Sequence, residues 1–442
     1  MKLSFSFFNN RYNASHIRHL SINFYGVTYY IALNVELPIK LTGIKLQFPT
    51  ANPTYMNDTP LKLKDLVCFS HLRWNFVYQR PQHLISRFTK CFRVFFIEEP
   101  FYNADTDHLS ITVSDEKVTI VIPHLQGDYG RADTDLRIQE LLEKLFQDEN
   151  ISSYLFWYYT PMALKFTSVF APSFVVYDCM DELSAFKSAS PELKQKEQEL
   201  MAKADVVFAG GQSLYEAKKK YHPRTFLFPS SIDKSHFEQA RSIRFDPPDQ
   251  DSIPHPRIGF FGVIDERLDI DLLEKVASLR PNWNFVMIGP VVKIDPQSLP
   301  NFHNIHYLGG KSYAELPKYL AGWDVAVIPF AHNESTRFIS PTKTPEYLAA
   351  GKPVVSTPII DVIRPYGNKG LVRIAGTPDE FVRVTEEELN KTDKAEWLER
   401  VDDFLSQSSW NKTWGEMMSI IGTSLVGKKV EKVKNPRGQE YV

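Results

Sequence analysis

The sequence predicts an α/β protein with two doubly wound domains, each built on a parallel sheet, that face each other across a cleft. Three observations predict this fold. Short β-branched or aromatic runs alternate with amphipathic helical segments from residue 65 onward. A polar, proline-rich stretch without periodicity interrupts the alternation at residues 241–256, after which it restarts. The chain of 442 residues also exceeds what one ordinary core accommodates.

The first domain is assigned to residues 56–240, and its strands and helices alternate as in βαβ units, which form parallel sheets. Strands are predicted at residues 66–69, 93–97, 154–158, 174–177, 206–209 and 225–229, a hairpin at 109–113 and 117–123, and helices at 80–90, 133–146 and 191–204.

The second domain is assigned to residues 257–395, after a linker at 241–256. Its strands are predicted at residues 257–263, 285–288, 306–308, 325–329, 353–356 and 371–374, and its helices at 270–279, 313–321 and 340–350. Residues 396–425 read as helices with large apolar side chains, so we expect a C-terminal helix to cross back onto the first domain. The charged residues 426–442 are predicted to be a disordered tail.

Residues 1–55 differ from the rest, because they are rich in Phe, Tyr, Asn and Ile and have weak periodicity. One hypothesis is that the native chain starts at Met56 and that this segment is a translated upstream region. The alternative is an N-terminal hairpin extension with a packing role. Deleting residues 1–55 distinguishes the two, because loss of folding or activity contradicts the first.

Composition excludes several classes of protein. The net charge of −2 gives no field that recruits nucleic acid. The three cysteines form no CxxC motif, which fits a reducing cytoplasm better than a disulfide or zinc framework. No apolar run reaches the roughly 18–20 residues of a membrane span, and no signal peptide is visible. A basic patch at residues 218–224 allows weak contact with acidic lipid at the inner face of the plasma membrane, although solvated helix charges explain it better.

The stretch SPTKTPEYLAAGKPVVST, residues 340–357, predicts a short helix followed by a buried strand. Ser340 is expected to cap the helix, with Pro341 at its first position, and Thr344 before Pro345 offers a second start. Gly351 is expected to end the helix.

Lys343 and Glu346 share one face of this predicted helix. A cation beside the N–H groups of the helix start, around Ser340 and Thr344, suits a phosphate. A carboxylate one turn later suits a pair of sugar hydroxyls. Together they fit a nucleoside diphosphate, whereas the alternative is a capped surface helix with an ordinary ion pair.

In the first domain, His71 follows the first strand, where it can take a proton or hold a sugar hydroxyl, or simply be satisfied by backbone. Asp181 and Glu182 follow a later strand and are candidates to orient or deprotonate a sugar hydroxyl; helix-dipole compensation is the alternative. His124 is a weaker candidate. Asp178 and Asp181 lack further ligands at metal-binding spacing, so no metal site is predicted.

In the second domain, Gly262 ends the first strand and lets a ligand approach the backbone, and Arg267 can reach a phosphate. Gly289 ends the next strand, where a base pocket would lie. The polar loop at residues 330–337 precedes the central helix and would contact a donor sugar through Asn333, Glu334, Thr336 and Arg337. The glycine-rich fingerprints GxGxxG and GxxxxGK[ST] are absent from the sequence.

The run EYLAAGKPVV at residues 346–355 resembles the signature of retaining GT-B glycosyltransferases related to glycogen and sucrose synthases. Together with residues 70–100 and 176–233, it is similar to bacterial glycosyltransferases of surface-polysaccharide assembly, including the teichuronic acid type. The resemblance covers roughly residues 65–425.

The resemblance implies the GT-B fold, a nucleotide-sugar donor in the second domain and a saccharide or lipid-linked acceptor in the first, with hexosyl transfer as the reaction. Glu346 would hold the ribose, while Lys343 and Arg267 would neutralise the diphosphate without an obligatory metal or cofactor. Two positions depart from the family pattern. Phe338 stands where a glutamate is frequent, eight positions before Glu346, and Arg267 has no adjacent lysine.

Two other functions stay open at this point. A nucleotide-sugar epimerase also uses two such domains, and it would form product without an acceptor. A catalytically weak carbohydrate- or nucleotide-binding partner in a polysaccharide assembly complex would bind donor without turnover, and Phe338 favours it.

Overall fold

The computed structural model describes residues 5–8, 17–24, 27–34, 63–128, 130–187 and 189–434. The chain divides into two compact units, Met1–Pro53 and Thr54–Val442. The first unit contains an antiparallel sheet in which β2 is central. Its strands are β1 (Phe5–Phe8), β2 (Ile17–Phe24) and β3 (Val27–Asn34).

The second unit contains two sheets, and we call the parts around them the first half and the second half. The strands of the first half are β4 (Asp65–Ser70), β5 (Arg93–Glu98), β6 (Phe101–Ala104), β7 (His108–Val113), β8 (Val118–Gln126), β9 (Tyr154–Tyr158), β10 (Phe174–Cys179), β11 (Val206–Ala209) and β12 (Thr225–Leu227). They run in the order β12-β11-β10-β9-β4-β5-β8-β6, with β7 on β8. Among the described strands of this sheet, only β7 is antiparallel to its neighbour, so the predicted hairpin is confirmed.

The helices of the first half are α1 (Arg80–Phe88), α2 (Thr134–Asp148), α3 (Leu164–Thr167), α4 (Leu193–Lys203) and α5 (Gln212–Lys218). Every residue of the strands β4, β9 and β11 is buried, as expected of strands covered on both faces. The sheet therefore separates two apolar cores, one on each face.

The second half holds an entirely parallel sheet in the order β15-β14-β13-β16-β17-β18. Its strands are β13 (Arg257–Phe261), β14 (Asn284–Ile288), β15 (Ile305–Tyr307), β16 (Val325–Ile328), β17 (Val354–Ser356) and β18 (Arg373–Ile374). The remaining helices are α6 (Lys234–Glu238), α7 (Pro248–Asp251), α8 (Ile270–Leu279), α9 (Leu316–Ala321), α10 (Lys343–Ala349), α11 (Ile360–Ile363), α12 (Pro378–Asn390), α13 (Ala395–Ser406) and α14 (Trp410–Lys434).

Both sheets are doubly wound, as the sequence predicts. The strand order reverses beside β4 and β9 in the first sheet, and beside β13 and β16 in the second. Sheets of this kind bind ligands at the carboxyl ends of the strands next to such a reversal. These two places are therefore where the site residues should gather.

The stretch predicted as a linker is held on the second half by polar contacts. The buried side chain of Gln250 donates to the carbonyl oxygen of Tyr319 and accepts from the indole N–H of Trp323, at 3.1 Å and 3.0 Å. Arg257 forms an ion pair with Asp246 at 2.6 Å. These contacts fix a proline-rich segment whose α-helical part is the single-turn helix α7.

The predicted crossing of the C-terminal helix is confirmed. The helix α13 contributes Trp397, Val401 and Leu405 to the core of the second half, whereas α14 contributes Met417 and Ile421 to a core of the first half. The chain therefore changes halves between α13 and α14.

The tail prediction needs correction, because α14 continues to Lys434 and includes residues 426–434. Lys, Glu and Val are compatible with a helix once a packed segment has nucleated it. Residues 435–442 lie outside the described residues.

Candidate active site

Two glycines end the central strands of the second half. Gly262 has φ +141°, and a Cβ atom added to it would lie 2.0 Å from Cε of Lys343. Gly289 has φ +145°, and a Cβ atom there would lie 1.8 Å from the carbonyl oxygen of Gly262. The space that Gly262 leaves open is thus crossed by the side chain of Lys343. Gly289 allows the ends of β13 and β14 to approach.

The helix α10 begins at Lys343, so the prediction that Ser340 caps it and that Pro341 opens it is wrong. The second predicted start, at Thr344, lies one residue from this boundary. A turn precedes the helix, in which Thr344 N–H donates to the carbonyl oxygen of Pro341 at 3.3 Å. Gly351, at φ +73°, ends the helix as predicted.

Tyr347 fastens α10 to the sheet, a contact that the sequence analysis missed. Its hydroxyl accepts from the backbone N–H of Phe261 at 2.9 Å and lies 3.3 Å from the carbonyl oxygen of the same residue. Because Phe261 is the last residue of β13, this bond places the start of α10 against the strand reversal.

Lys343, Thr344 and Glu346 form the core of the site. The helix is buried from Thr344 to Ala349, which excludes the alternative of a surface helix. Among the described residues, neither the ammonium of Lys343 nor the carboxylate of Glu346 has a hydrogen-bond or ion-pair partner, and the hydroxyl of Thr344 is buried without one. Burial raises the pKa of Glu346 and lowers the pKa of Lys343. Three adjacent polar groups therefore lack partners.

Arg267 lies near this core but is already engaged. Its guanidinium binds Asp265 through Nη2 and Nε, at 2.7 Å and 2.9 Å. Its charge is among those that lower the pKa of Lys343. In the described structure Nη1 of Arg267 has no hydrogen-bond partner, so this edge of the guanidinium can still meet an anion.

Asp181 approaches the same core from the first half, where it follows β10. Burial raises the pKa of Asp181 to about 6, while Arg267 and Arg80 act to lower it. Beneath it, Arg80 and Asp178 form a buried ion pair at 2.8 Å. The charge of Lys343 also acts on the pKa of Asp181, and Arg267, Glu346 and Asp181 act on the pKa of Lys343. Asp181 is therefore near enough to Lys343 to belong to a site that spans the two halves.

Glu182 is not part of this group. Its carboxylate contacts Lys218 at 2.7 Å and accepts from the hydroxyl of Ser184. Lys218 also contacts Glu197 at 2.6 Å. The structure therefore places Glu182 in an ion-pair network within the first half, although the adjacent residue Asp181 belongs to the candidate site.

His71 lies after β4, beside the strand reversal of the first sheet. Its Nδ1 is buried without a hydrogen-bond partner among the described residues. Burial, followed by the positive charge of Lys293 from the second half, lowers the pKa of His71 to about 4. The imidazole is therefore neutral near pH 7 and can accept or donate one hydrogen bond.

The polar side chains of the loop before α10 mostly contact groups of the same loop or of its neighbours. Asn333 caps a helical turn at Thr336 and donates to the carbonyl oxygen of Glu266. Arg337 is exposed and lies over the ring of Phe338 at 5.2 Å, so the structure does not bring it to Lys343. Phe338 packs against a core of the first half, where it joins the two halves.

A comparison with protein families matches residues 255–391 to the family described as Glycosyl transferases group 1. This segment is similar to that family, and we call residues 255–391 the group 1 domain. Its span includes the central glycines, Arg267, Lys343 and Glu346. The match confirms the predicted class of enzyme, a glycosyltransferase.

Comparisons with a relative and with solved structures extend beyond this domain. The chain is 24% identical over 287 residues to the putative teichuronic acid biosynthesis glycosyltransferase TuaH of Bacillus subtilis (strain 168), across 60% of this chain and 71% of that protein. Sucrose-phosphate synthase of Thermosynechococcus elongatus superposes with a TM-score of 0.61 at 14% identity, covering 82% of this chain and 100% of that one. Anabaena HepE, in complex with UDP and glucose, gives 0.58 at 14% identity, covering 80% and 98%. These structures confirm the GT-B fold.

The group 1 domain is joined to the first half by a group of contacts around α5 and α11. The carboxylate of Asp361 accepts from the backbone N–H of Ser213 at 3.0 Å, so a residue of the second half caps a helix of the first. Arg364 and Glu216 form an ion pair at 2.9 Å beside it. Ser340 lies here too, because a Cβ atom on Gly211 would be 2.9 Å from its Cβ.

The other predicted features lie apart from the group 1 domain. His124 stacks on His108 and contacts Asn103 and Ser110 at the sheet edge. Two side chains of the basic patch already have partners within the protein. Lys218 is buried in ion pairs, and Arg224 contacts Ser424. Among the helices that the structure describes, none is long and apolar enough to cross a membrane. The described part of the chain holds no group of three or more His, Cys, Asp or Glu placed to bind a metal ion.

Proposed function

We propose that this chain transfers a sugar from a nucleoside-diphosphate sugar to a saccharide or lipid-linked acceptor, with retention of configuration, in the assembly of a bacterial surface polysaccharide. One observation carries the proposal. Lys343 and Glu346 lie one turn apart at a strand reversal, and neither has a polar partner in the described structure. A diphosphate and a ribose supply the anion and the hydroxyls that these two groups lack.

The relatives support the same class of donor and product. TuaH is named for teichuronic acid biosynthesis, and the HepE structure contains UDP and glucose. A trehalose-6-phosphate structure from E. coli, which superposes with a TM-score of 0.60, contains UDP-2-fluoro glucose. We transfer from them the use of a nucleoside diphosphate as leaving group, and the polysaccharide pathway as the setting.

In this proposal Lys343 is the main electrostatic catalyst. Negative charge develops on the diphosphate as the glycosidic bond breaks, and a cation placed there in advance stabilises it. Arg267 adds a second contact through Nη1, because its other nitrogens are held by Asp265. Two cations replace a divalent ion in this role, so we propose that no metal is obligatory.

The proposed chemical step needs no nucleophile from the protein. The acceptor hydroxyl oxygen forms a bond to the anomeric carbon on the face from which the diphosphate leaves. The bond from that carbon to the phosphate oxygen breaks, and the departing oxygen takes the hydroxyl proton. Asp181 orients the acceptor by accepting a hydrogen bond from a sugar hydroxyl next to the attacking one, and neutral His71 binds a further acceptor hydroxyl. Transfer to a lipid-linked acceptor would place the enzyme in the cytoplasm, peripherally at the plasma membrane.

A thermal-shift screen tests the donor site. The purified chain is melted with UDP, GDP, dTDP, ADP or CMP, with and without magnesium. A nucleotide at 100 times its dissociation constant stabilises the folded state by about 2.7 kcal/mol. We expect one clear increase in melting temperature without metal, reduced in the variants Lys343→Ala and Glu346→Ala. No increase with any nucleotide contradicts the proposal.

A further inference from the structure

Tyr313 has a hydroxyl group that is buried without a polar partner in the described structure. The residue opens the helical turn before α9 in the second half. Its hydroxyl oxygen is shielded from solvent and has no hydrogen-bond partner among the described residues. A buried hydroxyl without a partner is costly to the folded protein, so a group of this kind points to a missing ligand.

The ring of Tyr313 is fixed by its neighbours. His236 stacks on it with ring centroids 4.2 Å apart and planes at 10°, and His236 Nε2–H donates to the carbonyl oxygen of Tyr313 at 2.9 Å. Tyr78 of the first half packs on it at 4.7 Å, and Phe237 meets it edge-on at 5.5 Å. The hydroxyl is therefore held in its buried position and cannot swing out to water without disrupting these contacts.

The same hydroxyl lies within the field of Glu346. Burial first, and then the carboxylate of Glu346, raise the pKa of the Tyr313 phenol, so it stays protonated. The two groups are not hydrogen-bonded to each other in the described structure, and neither has another hydrogen-bond partner there. A carboxylate only accepts hydrogen bonds, whereas a phenol donates one and accepts others. The pair suits a ligand with two neighbouring hydroxyls.

We propose that Tyr313 is a further nucleotide-binding residue. Its hydroxyl binds the 2′-hydroxyl of the ribose and the carboxylate of Glu346 binds the 3′-hydroxyl, so the site selects ribonucleoside over 2′-deoxyribonucleoside diphosphates. Without the 2′-hydroxyl, one of the two protein groups stays unpaired. Sites built to bind a hydroxyl discriminate strongly against ligands that lack it. This inference rests on the proposed function, because it refines the nucleotide site.

Binding measurements with matched nucleotides test it. The base found in the thermal-shift screen is used as its ribonucleoside and 2′-deoxyribonucleoside diphosphate, titrated calorimetrically against the wild type and Tyr313→Phe. For the wild type we expect the ribonucleotide to bind at least ~10-fold more tightly, which corresponds to about 1.4 kcal/mol. Tyr313→Phe should weaken the ribonucleotide about 10-fold and the deoxyribonucleotide less than about 2-fold.

The control is Tyr307→Phe, which also removes one hydroxyl group. The hydroxyl of Tyr307 donates to the carbonyl oxygen of Pro300 at 3.2 Å, away from the site. It should leave both affinities unchanged. Equal weakening of both nucleotides by Tyr313→Phe would indicate a packing role and overturn the inference, as would equal affinities in the wild type. Binding of neither nucleotide to the wild type would overturn the proposed function as well. The wild-type comparison needs no variant, so a folding defect in Tyr313→Phe leaves the inference open to refutation.

Discussion

The buried charges beneath the first sheet and those at the start of α10 differ in their pairing. In the first half, Arg80 is paired with Asp178, and Lys218 with Glu182 and Glu197. In the second half, Lys343 and Glu346 are buried without any such partner in the described structure. Removing a charge from water without pairing it costs free energy. An unpaired buried charge is therefore expected at a place where a ligand supplies the partner. The contrast distinguishes charges that support the fold from charges that bind substrate.

The largest effect is expected for Lys343→Ala. Turnover should fall by at least ~10²-fold, because one preorganised contact to the developing diphosphate charge is lost. The melting temperature should fall less than in the first-half variant Glu182→Gln. Initial rates with a nucleotide-sugar donor measure the effect, and Lys275→Ala, an exposed lysine of α8, is the control. Turnover near that of the wild type in a folded Lys343→Ala protein would remove the phosphate role.

Asp181 tests whether the first half contributes a working carboxylate. Because the pKa of Asp181 is raised to about 6, its charged form is lost as the pH falls through 6. Turnover should therefore rise with pH across that value. In Asp181→Asn, this rise of turnover with pH should disappear. Turnover itself should fall about 10-fold, which is the scale of a hydrogen bond to a charged group. An unchanged pH profile in Asp181→Asn would assign the rise to another group.

Glu182→Gln should lower stability more than turnover, the reverse of what is expected for Lys343→Ala. Lys218 would keep only Glu197 as a partner, so the free energy of unfolding should fall by about 1–3 kcal/mol, while turnover changes less than a few-fold. Thermal melting and initial rates on the same preparation measure both. A large loss of turnover with an unchanged melting temperature would place Glu182 in the reaction after all.

The smallest effect is expected where the halves meet. Asp361→Asn weakens the cap on α5, a contact between the halves that is worth about 1 kcal/mol. Because the proposed donor and acceptor sites lie in different halves, KM for both substrates should rise about five-fold with little change in kcat. Glu216→Gln, which breaks the exposed ion pair with Arg364, should have no measurable effect. A fall in kcat without a change in KM for Asp361→Asn would argue against a role in bringing the halves together.

Local patterns predicted most of the fold. Strand and helix positions follow from hydrophobic periodicity, and the crossing of α14 followed from apolar residues such as Trp414 and Met417, which need a surface to pack on. The exact start of α10 did not follow, because Ser340 and Thr344 offer equally good local starts and tertiary contacts decide between them.

The candidate site was predictable only in part. The stretch at residues 340–357 identified Lys343 and Glu346. Local patterns could not show that Glu182 is bound to Lys218, because that partner is distant in sequence and is brought there by the fold. For the same reason, the contact between Asp361 and Ser213 had no local signal. Asp265 was visible two residues before Arg267, yet only the structure shows that it occupies much of the guanidinium.

The crossing of α14 has a consequence for how the protein is made. Met417, Ile421 and Leu425 complete a core of the first half, yet they are synthesised after the whole second half. On the ribosome, the first half must therefore wait with an open apolar face while the group 1 domain emerges and folds. Exposed apolar surface of this kind invites aggregation and chaperone binding. The first half is thus expected to mature last, although its strands are translated first.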